Sequence, residues 1–394
     1  MFAASLAVVL MHGLFRRVVG ERAALLMALL LPCSVLWLDK VPSAEIDMTL
    51  VGWVTAAIVL FHRALEGERR SPYLIGALLC VAGGTLTKWT APAFFYLTVV
   101  PLLAWRGQLR LLVGWKHLLA VGIACVACAL WAVAVVQQVG WDALSETIHK
   151  EAAYRFAPKA SKGYPWAELV LYPLAVFAAH LPMSAFALLT FRRRFWAQWD
   201  ARGKLLLQLL HCWTWPNVLF WTLVPNHNVR YALPMSAGLM GLGVMGLWGL
   251  LANSERERRG ETPSLLALHT PSLTLRVRLV IAFLTCWLVA KVAFVELVVP
   301  QRTANRNAEA TGAELRAHVP SGAPLYALKL KDEGVTFYYA RPVRKLTDPR
   351  LLPSGAHALL IRQEWEDRAA FGHLQLLCCM NDQQGDPIYL VRHP

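Results

Sequence analysis

Glu45 and Asp47 stand two residues apart in PSAEIDMTL, at the mouth of an apolar run. Two carboxylates there are solvated, bind a divalent cation, or act as base on an acceptor hydroxyl. Lys88 lies in GGTLTKWTAP, between two apolar runs with almost no loop. A charge deep in such a segment costs about 2.5–3.5 kcal/mol on insertion scales, so this lysine either snorkels to an interface or meets an anion. Its ammonium is a point charge suited to phosphate. VPNHNVRYALP carries His227, Arg230 and Tyr231 between two prolines. Arg230 could bind a phosphate and His227 could titrate or coordinate, while Arg and Tyr also serve as plain interfacial anchors. Arg155 sits in AAYRFAPKASKGYPW, within a long segment of the kind that is usually functional or mobile. Such cations and carboxylates suit a substrate with an anionic head and an apolar tail, a lipid-linked phosphate. The cations would hold the phosphate, and a carboxylate would activate the acceptor.

The elements that position these residues are membrane helices. Of 394 residues, 57% are hydrophobic and 16% charged, against about a quarter charged in soluble domains. The apolar residues cluster into ten runs, roughly 2–19, 22–38, 46–65, 73–87, 91–105, 111–137, 167–190, 204–224, 231–251 and 278–299. Runs approaching 20 residues predict transmembrane helices, and they lack the alternation of β-barrel strands. The net charge of +14 is carried largely by short loops, including Arg16-Arg17, Arg69-Arg70, Arg192-Arg193-Arg194, Arg256 and Arg258-Arg259. That is the positive-inside pattern rather than a nucleic-acid footprint. Cys125 and Cys128 have C-x-x-C spacing inside an apolar helix, where they read as small core residues.

The basic loops follow odd-numbered runs, which makes those loops cytoplasmic. The acidic mouth, Lys88, the 138–166 segment, the His227–Tyr231 turn and everything after residue 299 then share the extracytoplasmic side. The first run, starting at Met1 without a cationic leader, must begin outside, so an upstream span is expected to be absent from this chain. The predicted division is a membrane domain over 1–299 and a small α/β domain over 300–394. In the latter, 301–319 reads as a helix on Leu315. Strand-like runs follow at 324–330, 335–340, 357–362, 373–379 and 387–392, with a helical EWEDRAAF at 364–371. This module reads as a cap over the membrane domain or as an acceptor-recognition element. Cys378-Cys379 falls on a predicted strand with no assigned role.

The order AEIDMTLVGW, GTLTKWTAP, YPWAELVLYP with HLP, NHNVRYALPM and VTFYYARPV resembles the GT-C glycosyltransferases of the protein O-mannosyltransferase and lipid A aminoarabinose transferase type, over about residues 20–394. The resemblance implies a multi-pass enzyme of a bacterial-type cytoplasmic membrane. It would move a sugar from a polyprenyl-phosphate donor to a hydroxyl or phosphate on a lipid, glycan or protein. By this analogy Lys88 contacts the donor phosphate, and Arg230 with Tyr231 lines the same pocket. Asp47 matches the second acidic position near the metal or acceptor site, and Glu45 and His227 are weaker correspondences. The family's upstream acidic loop, which supplies the presumed base, has no counterpart in residues 1–20. The expectation is therefore an N-terminally shortened chain, with an inactive relative as the alternative. A transporter or flippase for a lipid-linked anion, or a non-catalytic assembly protein, are the other classes; the absence of an internal repeat argues against the transporter.

Overall fold

The computed structural model describes residues 1–41, 46–67, 70–156, 166–225, 228–258, 282, 285, 287–304, 307–330, 333–346, 348–382 and 385–394. Two compact units divide the chain, Met1–Leu288 and Val289–Pro394.

The first unit is helical: α1 (Phe2–Val18), α2 (Glu21–Leu30), α3 (Val35–Lys40), α4 (Ile46–Glu66), α5 (Arg70–Thr87), α6 (Ala91–Trp105), α7 (Trp115–Val139), α8 (Trp141–Phe156), α9 (Glu168–Ala179), α10 (Met183–Ala187), α11 (Arg193–Ala197), α12 (Ala201–Leu223) and α13 (Leu233–Arg258). By length and composition α4, α7 and the stretch Val229–Leu251 are candidate membrane spans, and the bent pair Glu168–Ala179 with Met183–Phe191 is a fourth.

Several apolar runs are interrupted. The run over 22–38 breaks at Leu31–Cys33, where Pro32 lacks an amide hydrogen. α3 restarts there, with the Ser34 hydroxyl accepting from the Trp37 amide at 3.3 Å. The run over 167–190 bends by 104°. At that bend the buried His180 ring bonds the Ser236 hydroxyl and the Val176 carbonyl, both at 2.7 Å. The segment read as a long loop over 138–166 instead contains α8, set off from α7 by Gly140 at φ 87°. Residues 157–165 lie outside the described residues.

α4 and the apolar part of α13 are mostly covered by neighbours, whereas α7 is mostly bare. α13 approaches α10 through Gly243 and Gly246. A Cβ at either would overlap a backbone carbonyl oxygen, of Met183 or Phe186 respectively. Small residues at such crossings let backbones come close.

The second unit carries a π turn (Phe294–Val298) running into α14 (Val299–Ala304), then α15 (Ala308–His318), β1 (Leu325–Ala327), α16 (Glu333–Tyr339), β2 (Val343–Lys345), β3 (His357–Ile361), α17 (Arg362–Glu366), β4 (Gln375–Asn381) and β5 (Pro387–Arg392). The strands form one mixed sheet in the order β2-β1-β3-β5-β4. β1 is parallel to β2 and β3, while β5 runs antiparallel to β3 and β4. Alternate residues face opposite sides of a strand, so Leu325, Leu359 and Leu390 enter one apolar cluster with Leu315, Val335 and Tyr339. Tyr326, Ala358, Leu360 and Val391 enter the other. Residues 335–340, expected as a strand, form α16. A parallel β1–β2 pair needs a crossover connection, and a helix supplies it.

Candidate functional site

α4 and α5 run as close neighbours, and the cause is local. A Cβ on Gly83 would sit 3.0 Å from the Trp53 ring; one on Gly84 would sit 2.7 Å from Ala91 Cβ and 3.3 Å from Trp53 Cβ. With glycine at both positions, the start of α4 meets the end of α5. Asp47 occupies the first turn of α4. Lys88 follows α5, its amide bonded to the Gly84 carbonyl at 2.7 Å. Each charge thus lies at the helix end whose dipole favours it. The Lys88 ammonium donates to Asp47 Oδ1 in a short ion pair, with the two side chains 11% and 3% exposed.

A third segment completes the cluster. The Asn228 side chain accepts from the Arg230 amide at 3.1 Å and starts a single tight turn, Val229–Ala232. This aims Arg230 at Asp47, with Nε 3.8 Å from Oδ2. Lys88 Nζ lies 4.7 Å from the centre of the Tyr231 ring, and the Arg230 guanidinium 5.8 Å from it. Both are cation–π distances. Behind the ring stands Trp221, 5.1 Å away, itself stacked on Phe94 at 5.3 Å. Asp47, Lys88, Arg230 and Tyr231 therefore converge from three segments of the chain. The cluster joins one buried carboxylate, two cations and an aromatic wall, and Arg230 keeps a partly exposed side chain (40%). An anion that reaches Arg230 and Lys88 would compete with Asp47 for both.

The other candidate residues are placed differently. Arg155 is in the last turn of α8, and its side chain lies outside the described residues, as do Glu45 and His227. Sequence reasoning missed Tyr172 and Trp221. Tyr172 is 1% exposed on α9, which packs against the Arg230 turn. Its one local signal was a tyrosine beside Pro173 within an apolar run. A separate cavity of about 400 Å³, lined by Trp105, Phe191, Trp196, His211 and Trp215, contains none of these residues.

Residues 1–133 match the family described as dolichyl-phosphate-mannose-protein mannosyltransferase. No match is found among curated protein sequences. Among solved structures, ArnT from Cupriavidus metallidurans in the apo state aligns with a TM-score of 0.62 at 17% identity, covering 99% of this chain and 83% of that one. The fold is the ArnT fold. The same ArnT bound to undecaprenyl phosphate aligns with a TM-score of 0.64 at 17% identity, over 99% of this chain and 82% of ArnT. The resemblance to GT-C glycosyltransferases read from short motifs is thus borne out on two grounds. A family match covers the first third of the chain, and the ArnT-like fold covers nearly all of it.

Proposed function

We propose that this chain is a GT-C membrane glycosyltransferase that takes a sugar from a polyprenyl-phosphate donor on the extracytoplasmic face of a bacterial-type cytoplasmic membrane. One observation carries the reading: Lys88, Arg230 and Tyr231 gather around Asp47 at one end of α4. At the other end of α4, Glu66 pairs with Arg17 at 3.3 Å. The span between Asp47 and Glu66 is roughly 28 Å at 1.5 Å per residue, close to a hydrocarbon core. The cluster therefore sits at a membrane surface, where a lipid phosphate would lie. In this reading about ten helices cross the bilayer, with the bent and broken ones among them. The ArnT bound to undecaprenyl phosphate shares the fold, which supports the donor class.

The chemistry follows from the charges. Lys88 and Arg230 take the donor phosphate and stabilise the negative charge that grows on it as the sugar departs. As phosphate draws these cations away, Asp47 is released to accept a hydrogen bond from the acceptor hydroxyl, with Glu45 as the second carboxylate. By the sequence reading, His227 and Arg155 would add to the phosphate contacts. A divalent cation at Asp47 would have to displace Lys88 or Arg230. The acceptor is a hydroxyl or phosphate on a lipid, glycan or protein. The transporter alternative wants polar groups near the midplane, and this cluster is terminal on α4.

Binding tests the site directly. The full chain in detergent should bind undecaprenyl phosphate and not undecaprenol, measured by native mass spectrometry. Arg230→Ala should weaken phosphate binding about 10- to 100-fold, the worth of a charge-assisted hydrogen bond. Equal retention of the alcohol, or unchanged binding in the variant, would overturn the assignment.

A further inference from the structure

The proposed function leaves the Cys378-Cys379 pair, on β4 of the second unit, without an assigned role. Cys378 on β4 donates its thiol hydrogen to Glu314 Oε1 at 3.2 Å. Glu314 and His318 are four residues apart on α15, so they share one face of the helix. One ligand atom from each of Glu314, His318 and Cys378 lies within 4.8 Å of the others. Glu314 and His318 are exposed and Cys378 is half-buried.

We infer that Glu314, His318 and Cys378 form a binding site for a borderline divalent cation of the Zn²⁺ class. Ligand chemistry supports this first, since carboxylate, imidazole and thiolate are the three donor types zinc takes. In a tetrahedral centre with the usual bond lengths, such donors lie roughly 3.3–3.6 Å apart. The Sγ–Oε1 contact already has nearly that length, and small rotamer changes bring in His318. Second, the His318 Nδ1 pairs with the Glu314 backbone carbonyl at 2.9 Å. Metal-binding histidines usually donate their other ring N–H to such an acceptor, and here that leaves Nε2 with a lone pair. Third, the two elements that supply the ligands are locked together. The Thr311 hydroxyl, one turn before Glu314, donates to the Asn381 carbonyl on β4 at 3.0 Å. Leu315, next to Glu314 in sequence, is fully buried in the apolar cluster of this unit. Gly312 lets α15 sit against the backbone of Tyr338, 2.7 Å from where a Cβ would be.

Without a metal, desolvation and then the Glu314 carboxylate push the Cys378 thiol up to about 11. A dication reverses that balance. On binding, the Cys378 thiol proton leaves to solvent, a sulfur–metal bond forms, and the fourth position is left to water. No redox change occurs.

Co²⁺ is the probe. The full-length protein, purified in detergent, reduced and metal-free, is titrated with Co²⁺ and followed by absorption. The expected result is a thiolate-to-cobalt charge-transfer band saturating near one equivalent and bleached by Zn²⁺. Cys378→Ser should remove the band and Cys379→Ser should keep it. The exposed variants Glu314→Gln and His318→Gln should each weaken binding by at least the roughly tenfold that loss of a supporting partner costs. No band in the unsubstituted protein, a band that survives Cys378→Ser, or affinity unchanged in both exposed variants would overturn the site. None of these readouts depends on sugar transfer.

Discussion

At the scale of single residues, the decisive pair is Lys88 and Asp47. Truncating one partner of a buried ion pair leaves the other uncompensated, at a cost of about 3–5 kcal/mol. Lys88→Ala should destabilise the membrane unit by about 3 kcal/mol, the low end of that range, because Arg230 still faces Asp47. Asp47→Ala combined with Lys88→Ala should recover most of the loss. Thermal unfolding of the single and double variants in detergent measures this; an additive double variant would mean the two side chains do not interact. Both residues were legible as chemistry-bearing because a charge beside an apolar run demands a reason. Their pairing was not, since 41 residues separate them and no local pattern encodes that contact.

At the scale of elements, small residues decide where helices may approach. Gly246→Ala forces a methyl into the Phe186 carbonyl, and relief requires α10 and α13 to separate. Overpacking of this kind costs about 1–3 kcal/mol, so the variant should melt earlier. Gly122→Ala, with open space around it on α7, is the control and should melt unchanged or slightly later. The helix α16 teaches the opposite lesson about local propensity. Val335, Thr336, Phe337, Tyr338 and Tyr339 are strand formers by type. Yet Val335 and Tyr339, four residues apart, are fully buried on one helical face, while Phe337 is 74% exposed. Packing against α15 and the need to cross between parallel strands override the preference. The α8 segment was read as a loop because it lacks an apolar run, but a polar helix needs none.

At the scale of the whole molecule, the second unit carries a pH dependence of its own. In the second unit His357 pairs in register with Arg392 across β3 and β5. Burial first, and the Arg392 charge second, lower the pKa of its imidazole below the usual 6.5. A histidine held neutral in the fold binds its proton more readily when unfolded. Its contribution is therefore present above the unfolded pKa and lost as pH falls below about 6.5. Limited proteolysis of the second unit should accelerate over that range, and Arg392→Gln should flatten the dependence; an equal pH response in both proteins would dismiss the Arg392 contribution. The sequence by itself determined what depends on local sums. Those are the membrane class, the apolar runs, the basic loops between them, a small α/β tail and a set of ionisable residues beside hydrophobic segments. Even the family resemblance rested on short motifs and their order. The tertiary structure alone decided which runs bend or break, that Asp47, Lys88 and Arg230 meet, and that Cys378 faces Glu314 and His318. Hydropathy and spacing are read over a few turns of chain. Convergence depends on how two glycines against Trp53, a capped turn at Asn228 and a hydrogen bond from Thr311 set distant elements in register.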